Sequence, residues 1–404
     1  MLPNGMRILH HYDGMTRMAA VNLLYGVGSR YEHKGKTGLA HLMEHLMFTG
    51  SAHVPNYDAP LQAAGGESNA WTSVDFTNYY DVLPAQNVET AFWLESDRLC
   101  ALNLDETSVE TQRSVVIEEF KQRHLNVPYG DLNHLIHSLA FRVHPYRWPT
   151  IGERVEDIMA LQCEDIKNFY QLHYAVNNMV LCVSGNVSLD KTMMLAEKWF
   201  GELEPHVLRN SPETVEPLQN EKRYMRVNRE VPQDLIYMAF RMCGRLEDDF
   251  VTCDMISDIL ANGMSARFTR NILAHSDLFT ELDAAVEGTE QPGLFLVRGK
   301  LTPGSDVHRG EAVIKQELQK LCHEGATDDE IKKCINKYQS TVLFENMGYL
   351  PKATRLCQYE MLGDVNLVND EVEKYSHITG EEIQRVATKL FSDANASVIH
   401  YMRQ

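Results

Sequence analysis

The sequence predicts an α+β protein of two homologous α/β domains, each a mostly antiparallel sheet covered by helices. Three observations predict it. The chain has 404 residues, more than one ordinary core organises and suited to two domains of roughly 200. Pro205, Pro212 and Pro217 stand amid Asn, Ser, Glu and Gln. That composition reads as a linker over residues 205–222, between domains at 1–204 and 223–404. Strand-like and helix-like segments before the linker recur in the same order after it, and a period of about 200 residues marks an internal duplication rather than a solenoid.

In the first half, Asn4-Gly5 has hairpin-turn chemistry. Arg7 to His11 and Ala19 to Tyr25 read as strands, and the second is so uniformly apolar that it belongs in the middle of its sheet. A loop from Gly26 to Lys36 leads to a helix after Gly38, stopped by Gly50-Ser51. A short helix, Asn56 to Ala64, ends at Gly65-Gly66. Glu67 to Val82 is rich in Thr, aromatic and β-branched residues with polar alternation. It predicts one or two antiparallel strands with one solvated face, and an edge strand there can pair with an extended peptide. Val88 to Leu99 is an amphipathic helix, and Asp105-Glu106 opens another that runs to the region of Arg123. Tyr129 to Arg142 and Cys163 to Tyr174 are helical, with a loop at His144-Pro145-Tyr146. Asn178 to Gly185 is a buried strand, and the helix Leu189 to Phe200 closes the half.

The second half replays the first. Arg223 to Val227 and Leu235 to Phe240 match the first two strands. Phe250 to Leu260 matches the helix after Gly38, and Gly263-Met264-Ser265 matches Gly50-Ser51. Leu294 to Gly299 and Ser397 to Tyr401 read as further strands, and Gly310 to Cys322 and Asp328 to Glu345 as helices.

A net charge of −18 argues against nucleic-acid or anionic-membrane binding. No apolar run approaches the ~18 residues of a membrane span, and no basic stretch followed by an apolar one marks a leader at Met1. The eight cysteines include no C-x-x-C. Several sit in apolar runs such as Val180 to Val183 and read as small buried hydrophobes of a reducing compartment. A cytoplasmic location is expected, or a periplasmic one if a signal peptide has been removed.

Chemistry concentrates in His41-Leu42-Met43-Glu44-His45. Residues four apart share a helix face, so His41 and His45 project side by side and can hold one metal ion. Glu44 reaches the same space and can take a proton from a water at the metal. The pattern is H-E-x-x-H reversed. A polar patch on a helix would account for the pentapeptide alone, but a merely structural cluster would recur in the replay. There the chain reads Cys253-Asp254-Met255-Ile256-Ser257-Asp258, scaffold without ligands. A zinc site needs a third protein ligand. Glu118 or Glu119, beside the apolar stripe of Val109, Val116 and Phe120, is the candidate.

Over nearly the whole chain these motifs resemble the pitrilysin family of zinc peptidases, the inverzincins, which include insulysin, the mitochondrial processing peptidase and many short bacterial enzymes. Gly38 to His45 with Phe48 resembles the family's metal helix. Gly65-Gly66, Asn69-Ala70, Thr72, Thr77 and Tyr79 resemble its substrate-facing strand pair. Gln112 to Glu119 resembles its third-ligand helix, which favours Glu119 over Glu118. His144-Pro145-Tyr146, Pro149 to Gly152, Tyr174, Asn177-Asn178, Leu181, Gly185 and Asn186 resemble later motifs.

The resemblance implies the metalloprotease fold of the LuxS and processing-peptidase type, with Zn2+ on His41, His45 and Glu119 and Glu44 as general base. It implies that Asn69 and Ala70 present backbone groups to an extended substrate, and that the second domain is metal-free. The activity implied is that of a metalloendopeptidase hydrolysing peptides or small unfolded proteins in a closed chamber. Such a chain works as a homodimer or as a heterodimer with a related chain. The alternative is a non-catalytic subunit, or the metal-bearing half of an obligate heterodimer. Two features depart from the family pattern. Gln112 stands where members often carry a second Glu. Many members also hold the substrate carbonyl with an Arg and a Tyr seven residues apart in the second half. Neither Arg267 nor Arg270 has a Tyr at that distance, and the best-aligned positions read Leu273 and Thr280.

Overall fold

A computed structural model describes residues 1–208 and 214–404, so Pro212 of the expected linker lies outside the described residues. The apolar runs become sheet centres. β1 (Arg7–Tyr12), β2 (Met18–Tyr25), β3 (Glu67–Thr72), β4 (Thr77–Pro84) and β5 (Met179–Gly185) form one sheet in the order β1-β5-β2-β4-β3. β6 (Arg223–Arg229), β7 (Leu235–Arg241), β8 (Phe279–Glu287), β9 (Leu294–Leu301) and β10 (Ala396–Arg403) form a second sheet, β6-β10-β7-β9-β8. In each, the pair at one margin runs parallel and the other pairings are antiparallel. The matching order carries the duplication from sequence into topology, and the α+β class follows.

Six helices bear on the site and its replay: α1 (Leu39–Leu46), α2 (Glu106–Phe120), α3 (Leu132–Ala140), α4 (Phe250–Ala261), α5 (Asp328–Glu345) and α6 (Tyr349–Met361). The described residues cluster into two compact units, neither a contiguous half. One holds Met1–Gln122, Trp148–Glu213 and Val342–Val368, the other Arg123–Arg147, Thr214–Thr341 and Asn369–Gln404. The expected boundaries at 204 and 223 follow chain order, but each sheet takes a helix from the other half.

The physical reason is that the middle strands are apolar on both faces and need two covers. In the first unit Ala19, Val21, Leu23 and Tyr25 join the main core with Leu39, Leu42, Met43 and Leu46 of α1. Leu24, Val180 and Cys182 on the opposite face are covered by Ala353 and Cys357 of α6. In the second unit α3 packs on β6, β7 and β10. Arg223 Nη1 donates to the Leu139 and Ala140 carbonyls at 2.9 and 2.7 Å, and Tyr237 Oη to Asn133 Oδ1 at 3.3 Å.

Other departures are local. Asn4-Gly5 turns the chain, with Gly5 at φ 86°, but joins no hairpin, because β1 pairs in parallel with β5. α2 continues past Phe120 as a π-helical turn, Lys121–Leu125. α3 starts only at Leu132, after Tyr129 at φ 63° interrupts helical geometry. β8, α6 and the helices Leu367–Ser376 and Gly380–Leu390 go beyond the sequence-based expectation. No described helix is long and apolar enough to cross a membrane.

Candidate metal centre

α1 begins after Gly38, whose φ of 88° favours glycine, and no neighbouring side chain caps it. The cap comes from the preceding loop. The buried Glu32 carboxylate accepts from Gly38 N at 2.9 Å and from Ala40 N at 2.8 Å. Burial pushes its carboxyl up to about 8 against those amide donors. Thr37 Oγ1 donates to Asp157 at 2.8 Å and accepts from Glu153 N at 2.7 Å, which fixes the entry to the helix. With the apolar residues of α1 turned into the core, His41, Glu44 and His45 share its half-buried side.

α2 packs beside α1. Asp105 caps it, accepting from Ser108 N at 2.7 Å, and Val109, Val116 and Phe120 bury its inner face. This rotation turns Glu119 toward α1 and Glu118 outward, where Glu118 pairs with Lys121 at 2.6 Å. Glu119 Oε1 lies 3.8 Å from His41 Nε2, and Glu119 Oε2 lies 3.3 Å from His45 Nε2. Among the described residues these three form the one group of His, Cys, Asp or Glu side chains whose ligand atoms gather within 4.8 Å. Tetrahedral zinc with bonds of about 2.0–2.2 Å sets neighbouring donors roughly 3.4 Å apart. The two imidazoles and the carboxylate therefore fit such an ion and leave a fourth position open.

Glu44 faces the strand side of the same space. Thr72 Oγ1 of β3 donates to its Oε2. The hydroxyls of Tyr79 and Tyr174 lie 3.0 Å apart. Burial raises both phenols; at Tyr79 the neighbouring Tyr174 and then Glu44 add to it, and at Tyr174 burial outweighs the hydrogen bonds with Tyr79 and Thr77, so both remain protonated. β3 is the outer strand of its sheet. Asn69 is exposed there, and its Oδ1 accepts from Ala70 N at 2.8 Å. Glu32 and Thr72 adjoin the candidate site without a role of their own in the sequence reading: Glu32 lies in what reads only as a loop, and Thr72 appears only as a letter of the strand motif.

The replayed site in the second unit holds different chemistry. Asp254 and Asp258 of α4 stand where His41 and His45 stand in α1. Asp258 pairs with Lys337 of α5 at 2.7 Å, and Asp254 accepts from the Tyr375 hydroxyl. Ser257, at the place of Glu44, bonds back to the Asp254 carbonyl at 2.8 Å. A side-chain ammonium balances these carboxylates. Leu273 ends the π-helical turn Phe268–Leu273 and packs on the second core, and Thr280 is exposed on β8. Arg267 is held by Glu330 through two 2.8 Å bonds, and Arg270 reaches the same carboxylate at 3.4 Å.

The family model for insulinase (peptidase family M16) matches residues 7–154, and that for the peptidase M16 inactive domain matches residues 160–338. The chain belongs to peptidase family M16. It is similar to the zinc protease PqqE of Helicobacter pylori, 26% identical over 404 residues, covering 98% of this chain and 91% of that one. It is also similar to the mitochondrial-processing peptidase subunit beta of Bos taurus, at 24% identity over 98% of this chain and 82% of that one. The crystal structure of a protease from Helicobacter pylori matches with a TM-score of 0.94 at 26% identity, covering 99% of this chain and 98% of that chain. The peptidase M16 inactive domain from Pseudomonas fluorescens shares the fold, with a TM-score of 0.89 at 13% identity over 100% and 97% of the two chains. Within this M16 chain, the insulinase match contains His41, His45 and Glu119, and the inactive-domain match contains Asp254 and Asp258.

Proposed function

We propose that this M16 chain is a zinc-dependent endopeptidase acting on peptides or small unfolded proteins. The observation that carries the reading is the gathering of His41, His45 and Glu119 around one point with Glu44 beside it. A zinc ion held by those three side chains supplies Lewis acidity to a substrate carbonyl and to a water molecule. Glu44 takes the proton of the attacking water onto its carboxylate and delivers it to the leaving nitrogen. The outer edge of β3 receives the substrate in extended form, main chain to main chain, once the Asn69 side chain releases the Ala70 amide. A closed chamber that admits small or extended chains, and a dimeric assembly, belong to the same reading.

Hydrolysis of a mixed peptide library, with and without chelator and beside Glu44→Gln, tests it. Chelation is expected to abolish cleavage, and Glu44→Gln to slow it by about 10²- to 10⁴-fold with zinc retained. Undiminished cleavage by Glu44→Gln overturns the mechanism. Leu273 and Thr280, at the positions of the family's Arg and Tyr, favour a second reading: the metal-bearing half of a heterodimer. That reading expects a zinc-loaded protein that cleaves nothing alone and gains activity when mixed with a related chain.

A further inference from the structure

Glu44 sits on α1 between two metal-ligand candidates, and its flexible side chain can point its carboxylate in several directions. A hydroxyl from outside the helix, Thr72 Oγ1, donates to it. Thr72 is well placed to hold a direction. It ends β3, where it pairs with Thr77 of β4. Thr77 is itself pinned by a 2.9 Å bond from its hydroxyl to the Val27 carbonyl. As a β-branched residue Thr72 has few χ1 choices. Residues two apart on a strand address the same edge. The Thr72 backbone therefore shares the outer edge of β3 with Ala70, whose amide meets the Asn69 side chain there.

We infer that Thr72 is a positioning residue for Glu44: its hydroxyl fixes the carboxylate's rotamer, so the strand edge that receives substrate also aims the base. This rests on the reading of Glu44 as general base. A base whose carboxylate wanders spends less of its time within reach of the proton it must take, which lowers turnover without weakening substrate binding.

The test compares Thr72→Val, which keeps the shape and removes the hydroxyl, with Thr72→Ser, which keeps the hydroxyl, and with Glu44→Gln. Each zinc-loaded protein is assayed on one short peptide for kcat and KM, and also for bound zinc and thermal midpoint. Thr72→Val is expected to lower kcat by about 10- to 100-fold, with KM, zinc content and midpoint unchanged, and Thr72→Ser to restore most of the rate. Wild-type kcat in Thr72→Val beside an inactive Glu44→Gln overturns the inference. So does a loss confined to KM or accompanied by loss of zinc, or a failure of Ser to rescue. If Thr72→Val does not fold, Thr72→Ala is read by the same split between kcat and KM. Activity retained in Glu44→Gln points instead to failure of the underlying assignment of the base.

Discussion

Arg98 lies wholly inside the first unit, 1% exposed. It donates to Glu95 at 2.8 and 2.5 Å and stacks over Tyr57 and Tyr79, 4.6 and 4.5 Å from their ring centres. Asp81 is buried nearby, where Tyr57 Oη donates to it at 3.1 Å, and burial followed by the charge of Glu95 pushes its carboxyl well up. Two carboxyl groups thus share one guanidinium. Arg98→Met is expected to cost about 3–5 kcal/mol in denaturant unfolding, because it leaves Glu95 buried without its cation. Zinc titration separates two neighbours further along the chain: Glu119→Gln is expected to lose most of the affinity, and Glu118→Gln to keep it. His41, Glu44 and His45 are legible in the sequence because helical spacing alone puts them together. Glu118 and Glu119 are not separable that way, since adjacent residues differ only in facing, and facing is set by how α2 packs. Glu32 is illegible for a different reason: a loop acidic residue reveals its partner amides only after the chain has folded back.

α1 depends on that loop contact. Its first turn contains His41, and its start is held by Glu32 rather than by a neighbouring side chain. Glu32→Ala is expected to cost about 1–2 kcal/mol, as loss of a cap at a helix N-terminus. Faster hydrogen exchange at the Gly38 and Ala40 amides would show where the loss falls. Glu32→Gln probes the charge separately. Its carboxyl is held at about 8, above the ordinary 4.5, so the folded state keeps a proton that the unfolded chain gives up. The stability linked to that proton is complete below pH 4.5 and fades as pH rises through about 8. Stability of Glu32→Gln should therefore slope less across that window. Among elements, β2 and β5 are legible as uninterrupted apolar runs. β8 is hidden by a register shift between Phe279 and Glu281, which breaks its period of two. α6 is hidden because Ala353 and Cys357, its fully buried residues against the sheet, are small, so its apolar face is weakly marked in the sequence.

At the scale of the whole molecule, two carboxyl groups held far below their ordinary range, Glu311 and Glu330, both lie in the second unit. The hydrogen bond with His400, then that with Lys222, holds Glu311 down to about 2 despite burial. Burial alone would raise Glu330, but Arg267 and the Thr327 amide bring it to about 2. Both lie below their ordinary 4.5, so the stability they add is complete above that pH and lost as pH falls toward 2. In pH titrations at fixed denaturant, Glu311→Gln with Glu330→Gln should be less stable near neutrality and lose less on acidification. The exchange of helices between halves has a consequence for synthesis. Leu24, Val180 and Cys182 emerge from the ribosome well before Ala353 and Cys357, the residues that cover them. Until the later stretch arrives, the sheet on which α1 packs has one bare apolar face. A nascent chain of 208 residues should therefore stay aggregation-prone and bind zinc poorly, and translation that stops early leaves no partial peptidase at large in the cell.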